Sequence, residues 1–265
     1  MNVFGQRIHW SETGNGPPVI LLHGLGSDSS EWTRVTGFLS ARNRRVITLD
    51  QIGFGQSGKP ALRYRTETLT SFLEGFCESL RLEQMSLVAH GAAGAIAVQF
   101  ATQHPQMIER LVLANTGFLL SSVGIELLNP ATRAEARDLQ KRTRFEVSDW
   151  QADQIWADSM VSAYANQALI EAAPEDAALS SASLANLTAP TLVIWGRDDK
   201  LTPLETGEKI HAAVPNSQMV TLEKAGHAPH REQPVEFSAI VDKFLSGAKV
   251  HQKFRKQRQE ENVWF

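Results

Sequence analysis

The sequence predicts an α/β fold: a mostly parallel sheet, doubly wound with helices and interrupted by an inserted helical cap. Three observations predict it. Short apolar runs recur at 19–22, 45–49, 85–89, 111–114, 191–195 and 219–222, the pattern of strands buried on both faces. Helical patterns at 69–80, 94–104, 204–214 and 235–245 alternate with them, as in a sheet covered on both sides. The alternation stops between about Phe118 and Asn186, where Ala-, Glu- and Gln-rich segments carry no strand signal, and Pro190 reopens it.

These runs divide the chain into a core of residues 1–117 and 187–248, a helical cap of 118–186, and a basic tail of 249–265. A chain of 265 residues is near the upper limit for one hydrophobic core. With 42% hydrophobic and 21% charged residues it has the balance of a globular protein, and a net charge of -3 argues against general nucleic-acid binding. Residues 1–10 lack the apolar run of about 7 to 15 residues of a secretory signal, and no stretch approaches the roughly 20 of a membrane span. A cytoplasmic location away from membranes is therefore expected. The single cysteine, Cys77, forbids an intrachain disulfide and reads as a buried structural thiol.

In such sheets ligands bind beyond the carboxyl ends of the strands, so the turns there carry the functional signal. The first is His23-Gly24-Leu25-Gly26-Ser27, able to aim a backbone N–H into a site. The second, from Asp50 to Pro60, matches a phosphate loop from Gly53 to Lys59 until Pro60 replaces the hydroxyl that would meet magnesium, which argues against a nucleotide. The third, Ala89-His90-Gly91-Ala92-Ala93, turns from strand directly into a helix rich in small residues, the construction that presents a nucleophile at a sharp elbow. Later come Gly196-Arg197-Asp198-Asp199 after one strand and Gly226-His227-Ala228-Pro229 after the last. Elbow, acid and histidine in that order is the order of α/β hydrolases.

From about Val3 to Leu245 the chain resembles the α/β-hydrolase superfamily, in the branch of the meta-cleavage-product carbon–carbon hydrolases and cap-bearing esterases. The resemblance implies that Asp199 orients His227, that the N–H groups of Leu25 and Ala92 form an oxyanion hole, and that substrate enters beneath the cap. Family spacing from Gly196 selects Asp199 over Asp198. The departure is at the nucleophile, where the family expects serine and this chain has Gly91. Candidate pocket residues are His23, Gly24, His90, Phe118, Trp150, Trp156 and Met160; the cap aromatics, with Leu119, Leu120, Phe145 and Tyr164, line a pocket or form the cap's own core. His23 reads as a loop-holding residue, Asn115 as structural, and His90 and His230 as supporting or surface groups. No His, Cys, Asp and Glu cluster has metal-ligand spacing, and no cofactor is expected.

Glycine at the elbow relieves a strain of roughly 1 to 3 kcal/mol that a non-glycine residue bears there, while deleting the hydroxyl. An acyl-enzyme at this position is excluded, and Ser57 and Cys77 lie in other elements. Three readings follow. Asp199 and His227 act as a general-base pair on water or on a carbon acid, with a small carbonyl compound such as an ester, lactone or diketone as substrate; the protein binds a ligand without turnover; or it is a serine hydrolase whose serine has been replaced.

Overall fold

A computed structural model describes residues 1–117, 129–143, 149–172 and 179–250. The expectations for Phe118, Leu119, Leu120, Phe145, the side chain of Trp150 and the tail beyond 250 lie outside the described residues. The chain opens with a small hairpin, β1 (Asn2–Val3) and β2 (Gln6–Arg7), followed by β3 (Trp10–Thr13) and β4 (Pro18–Leu22). Then come α1 (Thr33–Ser40), β5 (Arg45–Leu49), α2 (Thr66–Ser79), β6 (Met85–His90), α3 (Ala93–Gln103) and β7 (Ile108–Ala114). After the helices α4 (Arg133–Thr143), α5 (Asp149–Ala172) and α6 (Ser181–Ala185), the alternation resumes. It runs through β8 (Thr191–Gly196), α7 (Leu204–Ala213), β9 (Ser217–Leu222), α8 (Pro229–Glu232) and α9 (Pro234–Leu245).

The main sheet runs in the order β3-β5-β4-β6-β7-β8-β9. All neighbours are parallel except β3, which pairs antiparallel with β5 in the register Trp10 to Leu49 through Thr13 to Val46. Alternate side chains of the inner strands enter two core layers. Ile20, Leu22, Leu87 and Val193 pack with α2 and α3, while Val19, Leu21, Val88 and Ile194 pack with α1 and α9.

From β4 the chain moves to one side, to β5, and later returns on the other, to β6. The turns after β4 and β6 therefore diverge at a switch point, where a crevice opens. They carry Gly24-Leu25 and Gly91-Ala92.

The helical insertion is tied to that crevice by backbone. Its helix α4 ends against the loops after β8 and β9, where the N–H groups of Lys200 and His227 donate to the carbonyls of Arg142 and Thr143, at 3.2 and 2.6 Å. The 24-residue α5 is not apolar enough to cross a membrane, and neither is any other helix among the described residues.

The segment that matches the phosphate-loop pattern folds around itself. Asp50 accepts from the N–H groups of Ser29 and Gln56, Gly53 N–H donates to Gly58 O, and Lys59 Nζ donates to the carbonyls of Gly55 and Ser57. These donors turn inward on the chain rather than toward a phosphate.

Gly196, closing β8, runs against the loop that carries His227. A Cβ there would lie 2.0 Å from Gly226 O and 2.5 Å from Ala225 O, both backbone. Gly196→Ala should destabilise the protein by about 1–3 kcal/mol through overpacking, read as a lower urea midpoint. A midpoint equal to the wild type's would show that the two segments can separate freely.

Candidate active site

Asp199 sits just beyond β8, 5% exposed, and five hydrogen-bonding contacts converge on its carboxylate. Oδ1 accepts from the backbone N–H groups of Leu201 (2.8 Å) and Thr202 (3.0 Å). Oδ2 accepts from Asn115 Nδ2 (2.6 Å) and Thr202 Oγ1 (2.5 Å), and His227 Nδ1 lies 2.8 Å away. Burial alone would raise the Asp199 pKa, but the facing His227 and the Thr202 donors hold it below the ordinary carboxylate value. Asn115, in the left-handed region at φ 44°, also accepts from Gly196 N–H at 3.0 Å. The residue read as structural is thus the brace between β7, β8 and the acid.

An ionised Asp199 fixes the tautomer of His227. Nδ1 carries the proton toward the carboxylate, leaving the Nε2 lone pair for chemistry. That nitrogen faces the elbow. Gly91 has φ +56°, its N–H donates to Ala114 O at 3.0 Å, and an ideal Cβ on it would lie 3.4 Å from His227 Nε2. The strand-to-helix turn at Gly91 is left-handed, and the His227 ring is aimed at the place a side chain there would occupy. Behind it, a Cβ at Gly94 would meet Thr116 Cγ2 at 2.0 Å, which explains the small residues opening α3.

Leu25 and Ala92 line the same cavity as His227. Ala92 caps the N-terminus of α3, where backbone N–H groups have no carbonyl of the preceding turn and the helix dipole favours negative charge. The cavity measures about 90 Å³ and is walled by Gly24, Leu25, His90 and His227 below and by Leu139, Ile155, Asp158 and Ser159 of the insertion above. Asp158 is the roof's acid. Burial first, and then Asp28 and Glu31, push its carboxyl up to about 6, against the opposing pull of Gln154 and Arg231.

Three of the pocket candidates do not line this cavity. His23 does not line the cavity; fully buried, it accepts from Gln51 N–H through Nε2 at 3.0 Å and holds its loop. Trp156 donates from Nε1 to Ala131 O, and Met160 is 42% exposed, so neither enters the cavity. Tyr164, 60% exposed, lines a separate cavity with Gly53, Lys59 and Tyr64. His230 is fully buried, stacked on Trp32 at a centroid distance of 4.2 Å.

The group that sequence reading missed is Glu31. Its Oε1 accepts from Gly24 N–H (3.1 Å) and lies 3.2 Å from His90 Nδ1 and 3.7 Å from His230 Nε2. Burial would raise its pKa, yet His90 and His230 together drive it far below the usual carboxylate range. His90 Nε2 in turn bonds the carbonyl of His227 at 2.9 Å. These three side chains come close enough to share a cation, although their sequence separation gives no ligand spacing.

The site and sheet define a class. The chain belongs to the alpha/beta hydrolase family, whose pattern matches residues 19–240. It is 31% identical over 263 residues to the 2-hydroxy-6-oxononadienedioate/2-hydroxy-6-oxononatrienedioate hydrolase of Cupriavidus pinatubonensis, with 90% of each chain covered. It is 30% identical over 262 residues to the 2-hydroxymuconate semialdehyde hydrolase of a Pseudomonas species, with 92% of each covered. Its fold is similar to that of a meta-cleavage product hydrolase from Pseudomonas fluorescens (TM-score 0.85, 22% identity, 93% of this chain and 97% of that one). An enol-lactonase from Burkholderia xenovorans is also similar (TM-score 0.77, 25% identity, 92% and 98%).

The lowered pKa of Asp199 has a consequence for stability. A group depressed in the folded state stabilises it above its unfolded pKa, near 4, and loses that contribution as pH falls further. Asp199→Asn should therefore be less stable than wild type at pH 7, and the gap should narrow as pH drops below about 4. Urea unfolding at both pH values measures it; a constant gap would mean that the Asp199 pKa is the same in the folded and unfolded protein.

Proposed function

We propose that this protein is a hydrolase in which Asp199 and His227 activate water in the space left at Gly91, acting on a small apolar carbonyl compound such as an ester, lactone or diketone. The carrying observation is the 3.4 Å between His227 Nε2 and the ideal Cβ position of Gly91. A histidine whose tautomer is fixed by a carboxylate is a competent base near neutral pH, and here its free nitrogen faces room for water rather than a side chain. On this reading, His227 takes the proton of a water as it adds to the carbonyl. The N–H groups of Leu25 and Ala92 then stabilise the oxyanion, the kind of charge that fixed donors in a partly dry site meet well. His90 and Thr143 hold the His227 backbone, through its carbonyl and its N–H.

Simple ligand binding would not call for this proton-handling array. Five contacts around Asp199 and an oriented His227 make a costly way to line a pocket. The proteins named above are a dienedioate hydrolase, a semialdehyde hydrolase and an enol-lactonase, whose names share a carbonyl with the substrate class proposed here, while the first two also carry carboxylates.

Two variants test the reading on a panel of aryl esters, an enol-lactone and a 2-hydroxy-6-oxo-dienoate. His227→Ala should lower turnover by about 10²–10⁴; unchanged turnover of every substrate would sink the general-base mechanism. Gly91→Ser should place a hydroxyl beside His227 Nε2 and create a covalent acyl-enzyme, visible as a mass increment with an activated ester. If the serine variant never acylates, the elbow is not aligned as a nucleophile site and the proposed attack geometry fails with it.

A further inference from the structure

The roof of the cavity carries a second acid that the water-activation reading does not use. Ile155, Asp158 and Ser159 are spaced three and four residues apart on α5, on one face of the helix, and all three line the cavity that His227 lines from below. The two aspartates of the site have opposite surroundings. Asp199 has five hydrogen-bonding contacts and a facing histidine. Asp158, among the described residues, has one side-chain donor, Gln154 Nε2 at 2.7 Å. The charged groups around it come from every adjoining element: Asp28 and Glu31 from the segment before α1, Arg231 from α8, with His227 on the opposite wall. Two carboxyls driven apart in this way are the arrangement that divides acid from base roles within one site.

We propose that Asp158, carried by α5 into the cavity of His227, is the proton donor to the leaving group. The inference rests on the water-activation reading. As water adds to the substrate carbonyl, its oxygen forms the new bond to carbon and its proton passes to His227 Nε2. Collapse of the tetrahedral intermediate breaks the bond to the leaving oxygen or carbon, whose electron pair receives the proton of Asp158. The Asp158 carboxylate is reprotonated from solvent and His227 returns its proton there, so one water is consumed per turnover. Burial, with Asp28 and Glu31, keeps this carboxyl near 6, so a usable protonated fraction remains near neutrality and falls as pH rises.

The test uses aryl acetates whose leaving phenols range from p-nitrophenol to p-methoxyphenol. Asp158→Asn should lose roughly 100-fold in kcat with the most basic phenolate and progressively less as the leaving group improves, with KM little changed. The fall in wild-type kcat/KM above pH about 6 should disappear in that variant, and Asp158→Glu should restore part of it. Independently of activity, carbon-13 NMR of the Asp158 carboxyl should show a midpoint near 6 in the wild type. An equal loss across the phenol series, or a midpoint at the ordinary aspartate value of about 4, overturns the proposal. If His227→Ala loses activity while Asp158→Asn does not, this inference alone falls; if the wild type turns over neither this series nor the enol-lactone and dienoate, both readings fall.

Discussion

A carboxylate withdrawn from water must recover in hydrogen bonds what it loses in hydration, or the folded state bears several kcal/mol of desolvation. Asp199 does so with donors from three parts of the chain: Asn115 after β7, the Leu201–Thr202 backbone after β8, and His227 after β9. Meeting one charge therefore fixes three loops against one another. Asn115 adopts a left-handed backbone to reach both the acid and Gly196 N–H, and Gly196 has no Cβ where the Gly226 carbonyl passes. The direction in which His227 Nε2 points follows from these constraints.

The opposite side of the histidine is fixed by a second buried charge. Glu31 gathers Gly24 N–H, His90 and His230 around one oxygen, and His90 passes this order to the His227 carbonyl. Close approach matters here as well, because a Cβ at Gly24 would lie 2.8 Å from His90 Nδ1. Ring and backbone of His227 are thus held by separate networks, the ring by Asp199 and the carbonyl by His90. The helical insertion adds the third hold, from Thr143 O to the His227 N–H.

What could be read in advance follows from how each feature is encoded. The inner strands were legible because both their faces are buried, and β4, β5, β6 and β8 have nearly unbroken apolar runs. Edge strand β3 was not, since Trp10–Thr13 is mostly exposed and its pattern is that of a loop. Asp199 and His227 stand after successive strands in the sequence and lie 2.8 Å apart in the fold, while Leu25 and Ala92, named from the family resemblance, line the cavity with His227. The Glu31–His90–His230 cluster could not be read, because its members come from three distant segments and only the fold unites them. Trp156 and Met160 were misplaced because apolar residues spread all round α5 and leave no stripe to mark its inner face. Asp158 was hidden for the same reason, as one of several acids on a helix whose orientation the sequence does not fix.

With glycine at position 91, protons must be handled differently on the proposed route. In a serine hydrolase, one histidine takes a proton from the nucleophile and gives it to the leaving group, and the covalent intermediate then lets it repeat the cycle with water. Direct attack by water joins addition and departure in one passage, as in inverting glycosidases, where separate groups serve as base and acid on opposite faces of the substrate. A cavity with His227 in its floor and Asp158 in its roof has that separation. Gly91 and the insertion are then parts of one arrangement, because the residue that removes the nucleophile also creates the need for an acid placed elsewhere.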